Sequence, residues 1–184
     1  SALAGLLAEW LTAMVANLTF GKKKWEPLYD KMCNISQECQ TLKEILLNLI
    51  DADTEAFNNV LDAYRMSQAN ENQITLRNET INNAMKEASN IPFKTLKCCN
   101  DVMKYILLAA KYGNQNSLTD ASVAAEMAYA GAMGAYYNIK VNLNEIDDDR
   151  YIQKMQKESD KLVLKTKQSL NIVRNLVMDK LNSE

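Results

Sequence analysis

The chain has 184 residues and a mass of 20.8 kDa, with 47% hydrophobic, 24% charged and 7% aromatic side chains, a size and balance suited to one globular domain with its own core. Twenty-one basic residues against 23 acidic ones leave a net charge of −2, which excludes the broad cationic surface that non-specific nucleic-acid binding draws on. Histidine is absent, so the usual neutral-pH proton shuttle and commonest metal ligand is excluded; proton transfer falls to carboxylate, lysine, tyrosine or thiol.

Five glycines and two prolines leave little with which to build strands and tight turns. Apolar residues recur at three and four throughout, so the chain reads as all-α. A first helix from about Ala2 to Leu18 ends at Gly21. It is apolar, but it carries Glu9 and Asn17 and has no basic leader, so a core helix is the better reading than a signal or membrane segment. Pro27 suits a first helical turn. From there to Met66 no breaker occurs, and a helix of about forty residues, about 60 Å long, makes a bundle spine. The polar run from Ser67 to Asn72 closes it. A third helix near Gln73 to Ser89 stops before Pro92, and a fourth runs from Phe93 to Tyr112, with Gly113 and Asn114 as its stop. Ser117 or Thr119 caps a fifth helix reaching about Val141, and Asp147, Asp148 and Asp149 introduce a last, strongly charged one to about Leu181. With no internal repeat and no low-complexity linker, residues 1–184 form one domain: a single antiparallel bundle of about five to six helices with one long spine.

Cys33, Cys39, Cys98 and Cys99 contain no C-x-x-C pair, and without histidine their spacing does not suit a closed zinc site. They read as reduced core thiols in a cytoplasmic protein, with no metal. The sequons at Asn17, Asn34 and Asn78 matter only in a secreted chain.

Chemistry is sought where polar residues interrupt apolar stripes. In LLNLIDADTEAFNNVLDAY, Asp53 shares a helical face with Leu46, Leu49, Ile50, Ala56, Phe57 and Val60, whereas Asp51 faces Asn48, Thr54, Glu55 and Asn58. A carboxylate on an apolar stripe is costly to ionise, which suits a general acid–base; the same position also suits a buried Asp pairing within the bundle. On the fifth helix, Asp120, Ala124, Met127, Gly131, Gly134, Asn138 and Asn142 fall on one narrow face. Small residues there admit either another helix or a flat ligand. Asp120 and Asn138 are about 27 Å apart along the axis, so one small ring cannot touch both. Lys22, Lys23 and Lys24 beside Gly21 could receive an anionic ligand tail, as could Arg77, or they are solvated surface charges. Tyr136, Tyr137 and Trp25 fit core or interface positions rather than stacking platforms.

The segments MVANLTFGKKK, DADTEAF, Arg77 to Pro92, YGNQNSLTDASVAA and GAYYNIKVNL resemble, in this order and at fitting intervals, the formiminotetrahydrofolate cyclodeaminase / methenyltetrahydrofolate cyclohydrolase family. The resemblance runs from Ser1 to about Asp148. It implies an all-helical homodimer with a folate site in a cleft associated with the dimer. It also implies a catalytic aspartate at the second Asp of DADTEAF, Asp53. By the same resemblance Lys22 and Lys23 match a basic pair, and Gly113, Asn114, Asp120, Asn138 and Asn142 match substrate-cleft positions. Family members carry a glycine-rich segment ahead of the residues that resemble SALAGLLAEW, and this chain starts without it. The larger family proteins add a formiminotransferase domain, for which there is no room here. The implied activity is cyclodeamination of 5-formiminotetrahydrofolate to 5,10-methenyltetrahydrofolate and ammonia, a step of histidine degradation and one-carbon metabolism. Hydrolysis of methenyltetrahydrofolate to 10-formyltetrahydrofolate is the alternative, and a non-catalytic helical interaction module is a further one. The expected partner is a tetrahydrofolate derivative, its polyglutamylated form included, with no metal or redox cofactor, no nucleic acid and no membrane.

Overall fold

The computed structural model describes residues 1–19 and 23–182, without the side chains of residues 23–25. Among these residues the chain forms α1 (Ala2–Asn17), α2 (Tyr29–Tyr64), α3 (Glu71–Tyr112), α4 (Leu118–Leu143) and α5 (Asp149–Leu181), with no strand. Short 3₁₀ turns, Lys23–Leu28 and Gln115–Ser117, lead into α2 and α4. Pro27 sits inside the first of these, just ahead of α2 rather than in its first turn. No helix of the described residues is long and apolar enough to cross a membrane.

Two expectations are corrected. The long helices are three, α2, α3 and α5 with 36, 42 and 33 residues, and the longest is α3 rather than α2. The break before Pro92 does not occur, because α3 runs through it. A proline in a helix interior forfeits one backbone hydrogen bond and crowds the carbonyl four residues earlier. Here the residues around it, Ile91, Phe93, Thr95 and Leu96, are all buried, so tertiary packing holds the helix together where local propensity would end it.

The helix ends follow local chemistry. The Asn70 side chain accepts from the Gln73 N–H at 2.9 Å to start α3, and the Arg77 guanidinium donates to the Tyr64 carbonyl from Nε and Nη2 at 3.3 and 3.1 Å. Arg77 thus closes the end of α2. Asp148 accepts from the Tyr151 N–H at 3.0 Å to start α5, and the Lys86 ammonium 2.7 Å away holds its carboxyl below the usual range. Gly113 ends α3 with an extended, not left-handed, backbone. Glycine is needed there because a Cβ would stand 2.5 Å from the Ala109 carbonyl oxygen.

Helix α3 is the centre of the bundle. α2, α4 and α5 pack along it, and α1 lies between α2 and α4. The main core joins Ala8 and Val15 of α1, Met32 and Ile35 of α2, Val102 and Ile106 of α3, the alanines of α4, and Leu170 and Val173 of α5. The small-residue face of α4 is taken by α1. A Cβ at Gly131 would meet the Cys99 sulfur, the Ser1 carbonyl and the Gly5 nitrogen at 3.0 to 3.1 Å, and one at Gly5 would meet Leu46 at 2.8 Å. A helix, not a flat ligand, makes that close approach.

Three thiols match the core reading and one does not. Cys39, Cys98 and Cys99 are buried and free, whereas Cys33 is free and exposed, because it lies on the outer side of α2 next to buried Met32. Burial pushes each of the three buried thiols up to about 12. Titration of the native chain with an aromatic disulfide reagent should therefore modify Cys33 alone at neutral pH, and denaturation should release the other three; fast native modification of two or more thiols would contradict this packing.

Glu9 is the anomaly of the core. It is 1% exposed, and neither carboxyl oxygen has a hydrogen-bond partner. Burial pushes its carboxyl up to about 8, against a smaller opposing pull from Lys43. The folded chain then keeps a proton that the unfolded chain, ionising near 4.5, releases. The contribution to stability is complete below about pH 4.5 and is lost by up to about 1.4 kcal/mol per pH unit as pH rises toward 8. Urea unfolding between pH 5 and 8 should show this decline in the wild type and a flatter profile in Glu9→Gln, while parallel profiles would remove Glu9 as its origin.

Candidate active site

α1 fills the groove between α2 and α4 for part of the length of α3, and its first turn forms an end wall. Past that wall the groove is open. One cleft of about 520 Å³ has Asp53, Phe57 and Tyr64 of α2 on one side, Asn138 and Asn142 of α4 on the other, and Met85 and Ala88 of α3 between them. A second, of about 280 Å³, is bounded by Ser1, Ala2 and Leu3 at the wall and by Ile91, Pro92 and Thr95 of α3. Asp53, Thr54 and Asn138 line both. Each helix contributes a stripe at helical spacing, and Asp53 and Asn138 stand where the two clefts meet.

Asp53 is exposed. Its stripe is the one read from the sequence: Leu46, Leu49 and Ala56 are buried. The carboxylate lies at the open edge of that stripe, facing the cleft instead of lying within the core, and the burial expected for it is not found in the single chain. Phe57, one turn on, is 62% exposed, an apolar ring open to the cleft. Asp51 is exposed and lines neither cleft.

Both asparagines are held by backbone carbonyls. Asn138 Nδ2 donates to the Gly134 oxygen at 3.1 Å, and Asn142 Nδ2 donates across to the Ala88 oxygen at 2.8 Å. Just beyond, Glu145 lines the larger cleft. The turn that carries it is fixed to α3, where Asn82 Oδ1 accepts from the Asp147 N–H at 2.9 Å and Tyr151 Oη donates to the Lys86 carbonyl at 3.0 Å.

The other residues picked out by sequence lie elsewhere. Asp120 is in the first turn of α4, at the end away from the cleft, and neither it nor Asn114 lines either cleft. Asn114 is buried in the junction between α3 and α4. Its N–H donates to Thr19 Oγ1 at 3.0 Å, its Nδ2 donates to the Leu18 carbonyl at 3.4 Å, and its Oδ1 accepts from the Asn116 N–H at 3.1 Å. Lys22 and the side chains of Lys23, Lys24 and Trp25 lie outside the described residues. Tyr136 is half-buried and donates to Asp160 at 2.6 Å, but Tyr137 is 60% exposed, not core. Among the described residues, no group of three or more acidic or thiol side chains could hold a metal ion.

Sequence reasoning put Phe57 on the Asp53 face without a role in the site, and passed over Tyr64 and Glu145. The signal for these two was periodicity carried further: Tyr64 follows Asp53 by eleven positions, and Glu145 follows Asn138 by seven.

The formiminotransferase-cyclodeaminase family profile matches residues 1–161. The chain belongs to this family. A methenyltetrahydrofolate cyclohydrolase of Methylorubrum extorquens is 31% identical over 163 residues, 89% of this chain and 78% of that protein. A formimidoyltransferase-cyclodeaminase of Dictyostelium discoideum is 31% identical over 180 residues, which are 98% of this chain but only 33% of that protein, so the chain spans about a third of that relative. The crystal structure of formiminotetrahydrofolate cyclodeaminase from Thermotoga maritima matches with a TM-score of 0.88 at 26% identity, over 98% of this chain and 86% of that one. The family fold therefore extends over nearly all of the chain, α5 included.

A role in the scaffold and a role in ligand binding separate cleanly at Asn114. Removing its side-chain hydrogen bonds with Asn114→Ala should cost about 1–2 kcal/mol in urea unfolding, on the scale of a lost cap with a buried partner; unchanged stability would instead leave this residue free to serve a ligand.

Proposed function

We propose that this family member is a folate one-carbon enzyme, a formiminotetrahydrofolate cyclodeaminase, with Asp53 as its general acid–base. The observation that carries the reading is the position of Asp53 where two clefts meet, with a ring on its own helix one turn away and amide groups opposite. A ligand lying along the groove would pass this carboxylate at its middle, and in a reduced folate the reacting N5, on the near edge of the pteridine, and N10, on the aminobenzoyl group, lie in the middle of the molecule.

In the cyclodeaminase reaction N10 attacks the formimino carbon, and the N10–carbon bond closes a five-membered ring. Asp53 accepts the N10 proton and returns it to the former imino nitrogen. A further proton from solvent completes the amine, the carbon–nitrogen bond breaks, and ammonia leaves behind the cationic 5,10-methenyl bridge. Holding N10 against the carbon supplies much of the acceleration, and a carboxylate within reach of both nitrogens supplies the proton transfers. Asn138 and Asn142 belong to the substrate-binding set of this proposal. The homodimer, the cytoplasmic location and the polyglutamylated form of the substrate are carried by family membership alone.

The cyclohydrolase reading is supported by the Methylorubrum extorquens relative, of which the chain covers 78%. Water adds to the methenyl carbon, the bond to N5 breaks, and the formyl group stays on N10 with release of a proton. The same carboxylate could activate that water.

Mixing the chain with 5-formiminotetrahydrofolate and following the methenyl absorbance together with ammonia should give equal rates well above buffer. Asp53→Asn should keep folate affinity and lose about a hundredfold or more in turnover. Methenyltetrahydrofolate hydrolysis without ammonia release from the formimino substrate would select the cyclohydrolase, neither reaction would leave a binding module, and full turnover by Asp53→Asn would remove that residue from the mechanism.

A further inference from the structure

Pro92 and Asn142 are 50 positions apart, and one carbonyl joins them. In an unbroken helix the Ala88 oxygen would accept from the N–H of residue 92. That residue is proline, which has no N–H and whose ring pushes the carbonyl aside. The side chain that takes up the freed oxygen is Asn142, whose Nδ2 donates to it at 2.8 Å from α4. A carbonyl can only accept, so this contact settles which way the amide faces. Its nitrogen is turned to the floor of the groove, and Oδ1, roughly 120° away in the same plane, is left without a partner among the described residues. Asn142 lines the larger cleft, and Oδ1 is not sealed off, since among the described residues the buried side-chain atoms lacking a partner are those of Glu9. Asn138 Nδ2 is likewise engaged, by the Gly134 carbonyl of its own helix at 3.1 Å. The α4 side of the cleft, completed by Glu145, therefore presents the Asn142 Oδ1 acceptor, with one N–H of each amide already spent on a backbone carbonyl.

We propose that Pro92 is a positioning residue that acts through the Ala88 carbonyl to fix Asn142 as a hydrogen-bond acceptor, and that this acceptor receives the N–H edge of the substrate's heterocycle. Resting on the reduced-folate reading, the edge is that of the 2-amino-4-oxopyrimidine half of the pteridine, whose 2-amino group and N3–H are both donors. A planar donor edge matches an acceptor held at a fixed angle, and the apolar ring of Phe57 on the opposite wall suits its face. A ring that presents acceptors instead would leave Asn142 Oδ1 unpaired on binding, which is the stronger discrimination.

The test uses the full chain and 5-formyltetrahydrofolate, a reduced folate with the same pyrimidine edge, in calorimetric titrations. Pro92→Ala restores an N–H at residue 92 and releases the amide, so affinity should fall by about tenfold with no loss of thermal stability. Asn142→Ala should weaken binding by a similar factor. The double variant should be no weaker than the worse single one, because both changes remove the same contact. In parallel, the Asn142 side-chain amide resonances in a ¹⁵N spectrum should shift and exchange faster in Pro92→Ala. Wild-type affinity in Pro92→Ala, losses that multiply in the double variant, or unchanged Asn142 amide resonances would each overturn the proposal. Should Pro92→Ala not fold, Asn142→Leu keeps the side-chain size but removes the acceptor, and undiminished affinity there would overturn it equally. A wild type that binds no reduced folate would sink the folate reading and the pteridine contact with it, while the amide resonances would still decide whether Pro92 positions Asn142.

Discussion

Everything in this bundle depends on how closely α1 can approach α4. A Cβ at Gly131 would crowd the Cys99 sulfur and the backbone of α1, and one at Gly5 would crowd the tip of Leu46. The contact is backbone against backbone, and it lets a short helix sink between α2 and α4 until it rests on α3. Because α1 is seated so deep, its first turn closes one end of the groove, and the candidate site lies against that wall. A larger residue at either glycine would lift the wall as well as loosen the core.

Depth also accounts for a costly group in the core. Seating α1 against α3 takes Glu9 out of water without giving it a partner, and the groups nearest to it electrically are Lys43 and the buried thiols of Cys39, Cys98 and Cys99. The carboxyl responds by holding its proton, since a neutral acid is far cheaper to bury than an anion. The core tolerates a polar group there only in its uncharged form, and stability becomes tied to pH in a chain that has no histidine.

Pro92 shows how one missing donor shapes a site. It does not stop α3, because buried neighbours on both sides hold the helix in line, but it frees the Ala88 carbonyl at the floor of the groove. Asn142 meets that oxygen from α4 and so ties the two helices together beside the cleft. The same bond turns the amide in the plane that a ligand would face. Scaffold and site are here the same hydrogen bond, whereas Asn114 and Arg77, which also looked like ligand residues by type, spend their hydrogen bonds on loops and helix ends.

From sequence alone came the helical class, the approximate ends of α1, α4 and α5, and the placing of Asp53 rather than Asp51 on the stripe that borders the cleft. All of these rest on local periodicity, capping residues and breakers, which act over one or two turns. The family too was legible, through short segments in register. Tertiary structure alone decided that α3 continues through Pro92, because the buried contacts that outweigh a proline come from other helices. It alone put Asn138 and Asn142 in the cleft and left Asp120 and Asn114 outside it, since one helix face is long enough to serve two regions and only the packing partners say which part meets the groove. Asp53 stands at the open edge of its stripe for the same reason: periodicity names the face of a helix, but how far along that face the neighbours cover it is set by helices distant in sequence.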